Sequence, residues 1–193
     1  MGIDVAQAHH EALERTRLIV AGVAHEQLHR LTPCADWDVH ELLSHIVAGN
    51  RWVKPLVGGL TIDEVGDRLD GDQLGADPLM AYVESAADAD AAFSAPGALD
   101  RPCAVSYGPV PASVYCGHRL LDVFVHGWDL AVATGQDATL DPELAATCWA
   151  VVEPELDMLI GSGAFGSTHD APPEADVATR LLLVLGRRPA AMA

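Results

Sequence analysis

Positive charge is scarce in this chain: 11 Lys and Arg stand against 28 Asp and Glu in 193 residues, a formal charge of −17. A field of that sign repels phosphate backbones and anionic membrane surfaces, so neither nucleic acid nor a membrane is an expected partner. No apolar stretch approaches the roughly 18 residues that a membrane-spanning helix needs. The start, MGIDVAQAHHEALERTR, has neither the basic nor the apolar region of a secretory leader, and Ala6 stands where a myristoylation signal wants Ser or Thr. These absences predict a cytoplasmic protein. The four cysteines, Cys34, Cys103, Cys116 and Cys148, form no C-x-x-C pair. They are expected to be reduced, partly buried thiols, neither metal ligands nor nucleophiles. What the chain does have is apolar bulk: half of its residues are hydrophobic and 20% are charged, enough for one self-sufficient domain over 1–193.

The punctuation predicts helices. Leu13, Val20, Val23, Ala24 and Leu28 recur at near-helical spacing with no break before Thr32-Pro33, so the first 30 residues read as one long helix. A second helix opens with Asp38 as N-cap, Glu41 as its reciprocal partner and Trp37 placed to staple against Leu42. It should end near Trp52 or Val53, because Lys54-Pro55 and the glycines after it are breakers. Residues 55–76 then read as loop. Asp77-Pro78 starts a third helix through about Phe93, and Ala95-Pro96-Gly97 stops it. Alternation around Tyr107-Gly108-Pro109 suggests a short hairpin or extended excursion between Arg101 and Pro111, too small to set the fold. A fourth helix spans about Pro111 to Thr134, closed by Gly135. A fifth runs from Asp141-Pro142 towards Ile160, with Pro154 kinking or restarting it. After a Gly, Ser and Pro-rich tail from Gly161 to Pro173, ADVATRLLLVLG gives a last short helix. There is no internal repeat. Four substantial helices with short links make an all-α bundle, a fold whose sites lie between facing helices.

Chemistry concentrates on two of these helices. Asp38, Leu42, His45, Gly49 and Trp52 share one stripe, so His45 points inward, and Gly49 one turn later removes bulk beside its ring. An inward histidine alone is more often a core residue hydrogen-bonded to a neighbour than a ligand. On the fourth helix His118, Asp122, His126 and Asp129 fall on an arc of about 80° bordering the apolar stripe of Val114, Leu121, Val125 and Trp128. Of the residues near that arc only Arg119 is basic. Burying two histidines and two carboxylates is costly unless a cation neutralises them. Asp122-x-x-x-His126 sets a carboxylate and an imidazole one turn apart, and with His45 this is a two-histidine, one-carboxylate set with open coordination positions.

At these residues the sequence resembles a known family. TPCADWDVHELLSHIVAGNRW looks like the first metal-histidine segment of the DinB-like superfamily, in the branch named after the mycothiol-dependent maleylpyruvate isomerase amino-terminal domain. LLDVFVHGWDLAVATGQ resembles the second metal segment, with H-G-W-D-L-A the most specific run, and LLLVLGRRP resembles the end of small actinobacterial proteins described as metal-binding. The resemblance implies a DinB-like up-down-down-up four-helix bundle, here with a short hairpin excursion and a C-terminal short helix. It further implies one divalent metal held by His45, Asp122 and His126, zinc first, with nickel or iron as alternatives. Asp122 stands where the family pattern has Glu and is shorter by a methylene; His118, one turn earlier, is the alternative ligand.

The expected function is that of a divalent-metal-binding protein acting as a thiol S-transferase or isomerase. Its co-substrate would be a small-molecule thiol, mycothiol in the relatives, and its second substrate an electrophile. Asp129 is the candidate to orient an imidazole and His118 the candidate general base. An ordinary salt bridge to an arginine is the plainer role for Asp129. Arg51, Arg119, Arg187 and Arg188 are the residues that could admit an anionic substrate. A metal-binding or ligand-sensing bundle without turnover is the competing class. A metal-dependent hydrolase ranks last, because no H-E-x-x-H glutamate is at hand. Association as a homodimer is compatible with the sequence.

Overall fold

The computed structural model describes residues 4–34, 37–157 and 167–189. They fall into two compact units, 1–137 and 138–193. In the first unit four helices carry the core: α1 (Val5–Ala21), α2 (Val39–Val57), α4 (Pro78–Ser94) and α5 (Ala112–Thr134). Each packs on two others, α1 on α5 and α4, and α2 on α4 and α5. The chain-consecutive helices α1 and α2 therefore sit across a diagonal of the bundle, and His45 on α2 comes to face α5. The fold is the expected all-α, DinB-like one.

Helix α1 is shorter than its periodicity suggests. It stops at Ala21, and a separate 3-10 turn covers His25–Gln27. Gln136 donates from Nε2 to the Ile19 carbonyl at 2.9 Å and fills the space where a Cβ on Gly22 would sit, while Gln27 donates from Nε2 to the Thr134 carbonyl at 2.9 Å. The two glutamines tie the ends of α1 and α5 together through carbonyls of their last turns, that of Ile19 also accepting from Gly22 N at 3.0 Å.

Helix α2 begins where the sequence says and ends later. It runs through Pro55 to Val57, four residues or more past the expected stop. Proline removes one N–H near the helix end. Burial of Leu56 and Val57, each 3% exposed, in a cluster with Phe93, Cys103 and Tyr115 outweighs that loss. The segment read as loop holds a short helix, α3 (Ile62–Val65). Its capping box is complete: Thr61 N donates to Glu64 Oε2 at 2.8 Å, and Glu64 N to Thr61 Oγ1 at 3.2 Å.

Helix α4 follows its Asp77 cap and the Pro at its first position. Strands β1 (Pro102–Val105) and β2 (Gly108–Pro111) form the expected antiparallel hairpin, with Cys103 opposite Val110. This hairpin lies against α5, and β1 also touches α2. Helix α5 ends at Gly135, whose φ of 72° is the left-handed conformation that glycine adopts without strain. Gly127 in its middle lets α1 approach closely, since a Cβ there would meet Thr16, which donates from Oγ1 to the Val123 carbonyl at 3.3 Å.

In the second unit α6 (Pro142–Val152) gives way to a 3-10 turn at Glu153–Glu155, as Pro154 requires, and α6 packs on α7 (Val177–Val184). The last residues of the expected continuation to Ile160 and the first part of the tail from Gly161, together 158–166, lie outside the described residues. No helix among the described residues is long and apolar enough to cross a membrane.

Candidate metal centre

His45 reaches the site from α2, and Asp122 and His126 reach it from α5. His45 Nε2 lies 3.0 Å from Asp122 Oδ1, and His126 Nε2 lies 3.6 Å from the same oxygen. Among the described residues these three bring one ligand atom each to within 4.8 Å of one another. Two imidazole nitrogens and a carboxylate oxygen are the donor set of zinc and its first-row neighbours, so the residues fit a divalent ion. The two histidines differ in access: the His45 side chain is 35% exposed and that of His126 5%. The site therefore opens on the His45 side.

Around these three the chain builds a supporting frame. Asp129, fully buried, sets Oδ2 3.0 Å from His126 Nδ1. A carboxylate there accepts the Nδ1 proton and leaves Nε2 as the free nitrogen facing Asp122. Arg119 donates from Nη1 to Asp122 Oδ2 at 2.9 Å. Burial works against ionisation of Asp122, but Arg119 first, then His126 and His45, outweigh it and hold the carboxyl well below the usual carboxylate range. The Trp37 ring stacks on His45, with centroids 4.5 Å apart and planes 30° from parallel, and lies 5.8 Å from His126. The staple expectation gave Trp37 to Leu42; its indole forms a wall of the site. Thr32 fixes it there, donating from its backbone N and from Oγ1 to the Trp37 carbonyl at 3.3 and 2.8 Å.

Gly49 does something other than clear space beside the imidazole. A Cβ on it would run into the Arg119 guanidinium. That guanidinium also donates from Nη2 to Asn50 Oδ1 at 3.0 Å and to the Ile46 carbonyl at 3.4 Å, so α2 supplies the partners of its second nitrogen. Sequence reading placed Arg119 near the strip and among candidate entrance residues, and overlooked it as the partner of Asp122. Their i, i+3 spacing was the available signal. Asn50 and Tyr107 were also overlooked.

His118 stands one turn before Asp122 on α5. Its Nδ1 is 2.6 Å from the hydroxyl of Tyr107, which occupies the hairpin turn and is 57% exposed. Arg51 bonds Gln73, and Arg187 and Arg188 belong to the second unit. The cysteines are free thiols. Three of them are buried, and burial pushes the Cys116 thiol up to about 12 and raises those of Cys103 and Cys148.

Comparison with known proteins bears on this centre. The family described as the mycothiol maleylpyruvate isomerase N-terminal domain matches residues 9–131, a span containing His45, Asp122, His126 and Asp129. Two proteins of Mycobacterium tuberculosis, both described as uncharacterized, are 35% identical over 194 residues, covering 96% of this chain and 98% of theirs. The crystal structure of a histidine-to-alanine mutant of mycothiol-dependent maleylpyruvate isomerase superposes with a TM-score of 0.65 at 14% identity, covering 83% of this chain and 72% of that one. At such identity the likeness speaks for a shared fold.

Proposed function

The chain belongs to the mycothiol maleylpyruvate isomerase N-terminal domain family, and from that premise we propose that it is a metal-dependent enzyme that joins a mycothiol-type thiol to an electrophile, as an S-transferase or an isomerase. The observation that carries the reading is the convergence of His45, Asp122 and His126 from two helices, with Asp129 behind His126. A divalent ion bound there, zinc first, would supply positive charge and an open position that hold a small thiol as its thiolate.

The protein's own groups do the rest. Asp129 fixes the His126 tautomer, and Trp37 covers one face of His45 and excludes water from it. We assign the general base to His118, which stands one turn before Asp122 with its Nδ1 2.6 Å from the Tyr107 hydroxyl. In a transferase the sulfur forms a bond to carbon as a leaving group departs with its electron pair. In an isomerase the same bond forms and later breaks, returning the thiol unchanged.

The test begins with metal analysis of protein purified without tag or chelator. About one equivalent of a first-row ion per chain is expected, and none in a His45→Ala, His126→Ala double variant. Stoichiometric metal in that variant would place the site elsewhere. Cobalt-substituted protein should then develop a thiolate charge-transfer band with mycothiol or a simpler thiol. A cobalt spectrum indifferent to every thiol, in a protein that binds some other ligand tightly, would replace turnover with ligand sensing.

A further inference from the structure

Arg119 is 7% exposed, and its contacts are unusually specific for an arginine on a helix that borders a site. One nitrogen holds Asp122 Oδ2, another holds Asn50 Oδ1 and the Ile46 carbonyl, and Gly49 keeps the place clear. Gly in the interior of α2 costs about 1 kcal/mol relative to Ala, so the helix gives up stability where the guanidinium lies. We propose that Arg119, seated by Gly49 and Asn50, is a positioning residue of the centre: it occupies Asp122 Oδ2, so that the carboxylate offers a cation Oδ1 alone, and its buried charge keeps the loaded centre net positive and receptive to an anionic ligand.

The charge argument follows from the groups in contact. Asp122 and Asp129 each bring one negative charge to the histidine cluster, and together they cancel a divalent ion. The guanidinium on Asp122 leaves one positive charge over. In a half-buried site such a charge is poorly screened, and it favours a thiolate over a neutral thiol or water at the open position. The geometric argument is independent of charge. Bonded to Asn50 and the Ile46 carbonyl on α2 as well as to Asp122 Oδ2, the guanidinium holds that carboxylate in place before any ion arrives. The proposal rests on the reading of His45, Asp122 and His126 as an ion site and adds the residue that sets its ligand preference.

The experiment loads wild type, Arg119→Gln, Arg119→Lys and Gly49→Ala with cobalt and titrates each with azide and with 2-mercaptoethanol, reading the visible and charge-transfer bands. Arg119→Gln should bind azide and the thiol, taken up as its thiolate, at least about tenfold more weakly, the effect of losing one nearby charge at moderate effective dielectric. Arg119→Lys should recover most of that affinity, a rescue that a purely structural role would not give. In Gly49→Ala the methyl group takes the guanidinium's place while helix propensity rises, so this variant should fold and still lose anion affinity. X-ray absorption on zinc-loaded wild type should show a carboxylate bound through one oxygen, a readout that survives even if Arg119→Gln does not fold. Unchanged anion affinity in Arg119→Gln and Gly49→Ala, or a carboxylate bound through both oxygens, overturns this proposal alone. A wild type that takes up no cobalt overturns the ion reading and this proposal with it.

Discussion

His9 shows what a single residue can cost and why. Its ring on α1 is fully buried, edge-on to Phe93 with centroids 5.2 Å apart, and neither ring nitrogen has a hydrogen-bond partner among the described residues. Burial first, then the charges of Arg119 and His10, lower its pKa from 6.5 to about 3. The folded protein keeps His9 neutral, whereas the unfolded chain takes up a proton below 6.5. Its contribution to stability is therefore fully present above pH 6.5 and is lost as the pH falls toward about 3. The loss is about 1.4 kcal/mol per pH unit across that window. Urea unfolding at several pH values should show wild type losing stability more steeply than His9→Leu between pH 6 and 4.5, in parallel with it above pH 7. Equal slopes would mean that the ring finds a partner in solution. Asp122 acts lower on the scale, because its pKa is depressed from 3.8, and the stability it lends is lost only below that value.

At the scale of the element, the start of α2 decides where His45 stands. The four N–H groups that a helix leaves without internal partners are all met there. Val39 N donates to the Arg30 carbonyl at 3.0 Å and His40 N to the Leu28 carbonyl at 2.8 Å, so the preceding loop closes over the helix end. Glu41 N donates to Asp38 Oδ1 at 2.9 Å and Asp38 N returns a bond to Glu41 Oε2 at 2.9 Å, which completes the four; Leu42 N then makes the first internal bond, to the Asp38 carbonyl at 2.9 Å. Asp38 also meets His29 Nδ1 at 3.0 Å through Oδ2. Asp38→Ala should therefore cost about 1 kcal/mol, the usual worth of such a cap. Thermal unfolding of the metal-free protein would register it as a lowered midpoint, and an unchanged midpoint would show that the loop carbonyls alone hold the helix start.

At the scale of the whole molecule, the bundle should fold without an ion. Its core of Leu42, Leu43, Ile46, Tyr82, Phe93, Leu120 and Leu130 is almost wholly shielded from water, and none of these residues belongs to the candidate centre. Arg119 already pairs with Asp122, and Asp129 with His126, through the protein's own groups. Chelation should leave the far-ultraviolet helical signal nearly unchanged while abolishing thiol binding. Collapse of the helical signal on chelation would make the ion structural, as in closed four-ligand sites. The formal charge of −17 raises the local concentration of divalent cations around the protein, an effect that added salt should weaken.

Local rules were enough for much of this architecture. Asp38 with Glu41, Asp77 with Pro78, Gly135 and Pro154 mark helix ends through bonds and dihedrals confined to a few residues, and those boundaries were readable from the chain. The same holds for the arc of Asp122, His126 and Asp129, because helical periodicity alone places them on one side of α5. Boundaries set by burial were not readable: α2 continues past Pro55 because Leu56 and Val57 have a core to enter, and α1 ends at Ala21 where Gln136 from a distant segment covers Gly22. Thr61 and Glu64 were legible as a capping pair and were passed over among the glycines around them. At the centre, the sequence determined which side chains were available, and the crossing of α2 with α5 decided what each one meets. Gly49 faces Arg119 instead of an imidazole, Trp37 lies on His45 instead of serving only as a staple, and Tyr107 reaches His118 from the hairpin. These contacts join residues 8 to 70 positions apart, and only tertiary folding, by closing those intervals of chain, brings them within bonding distance.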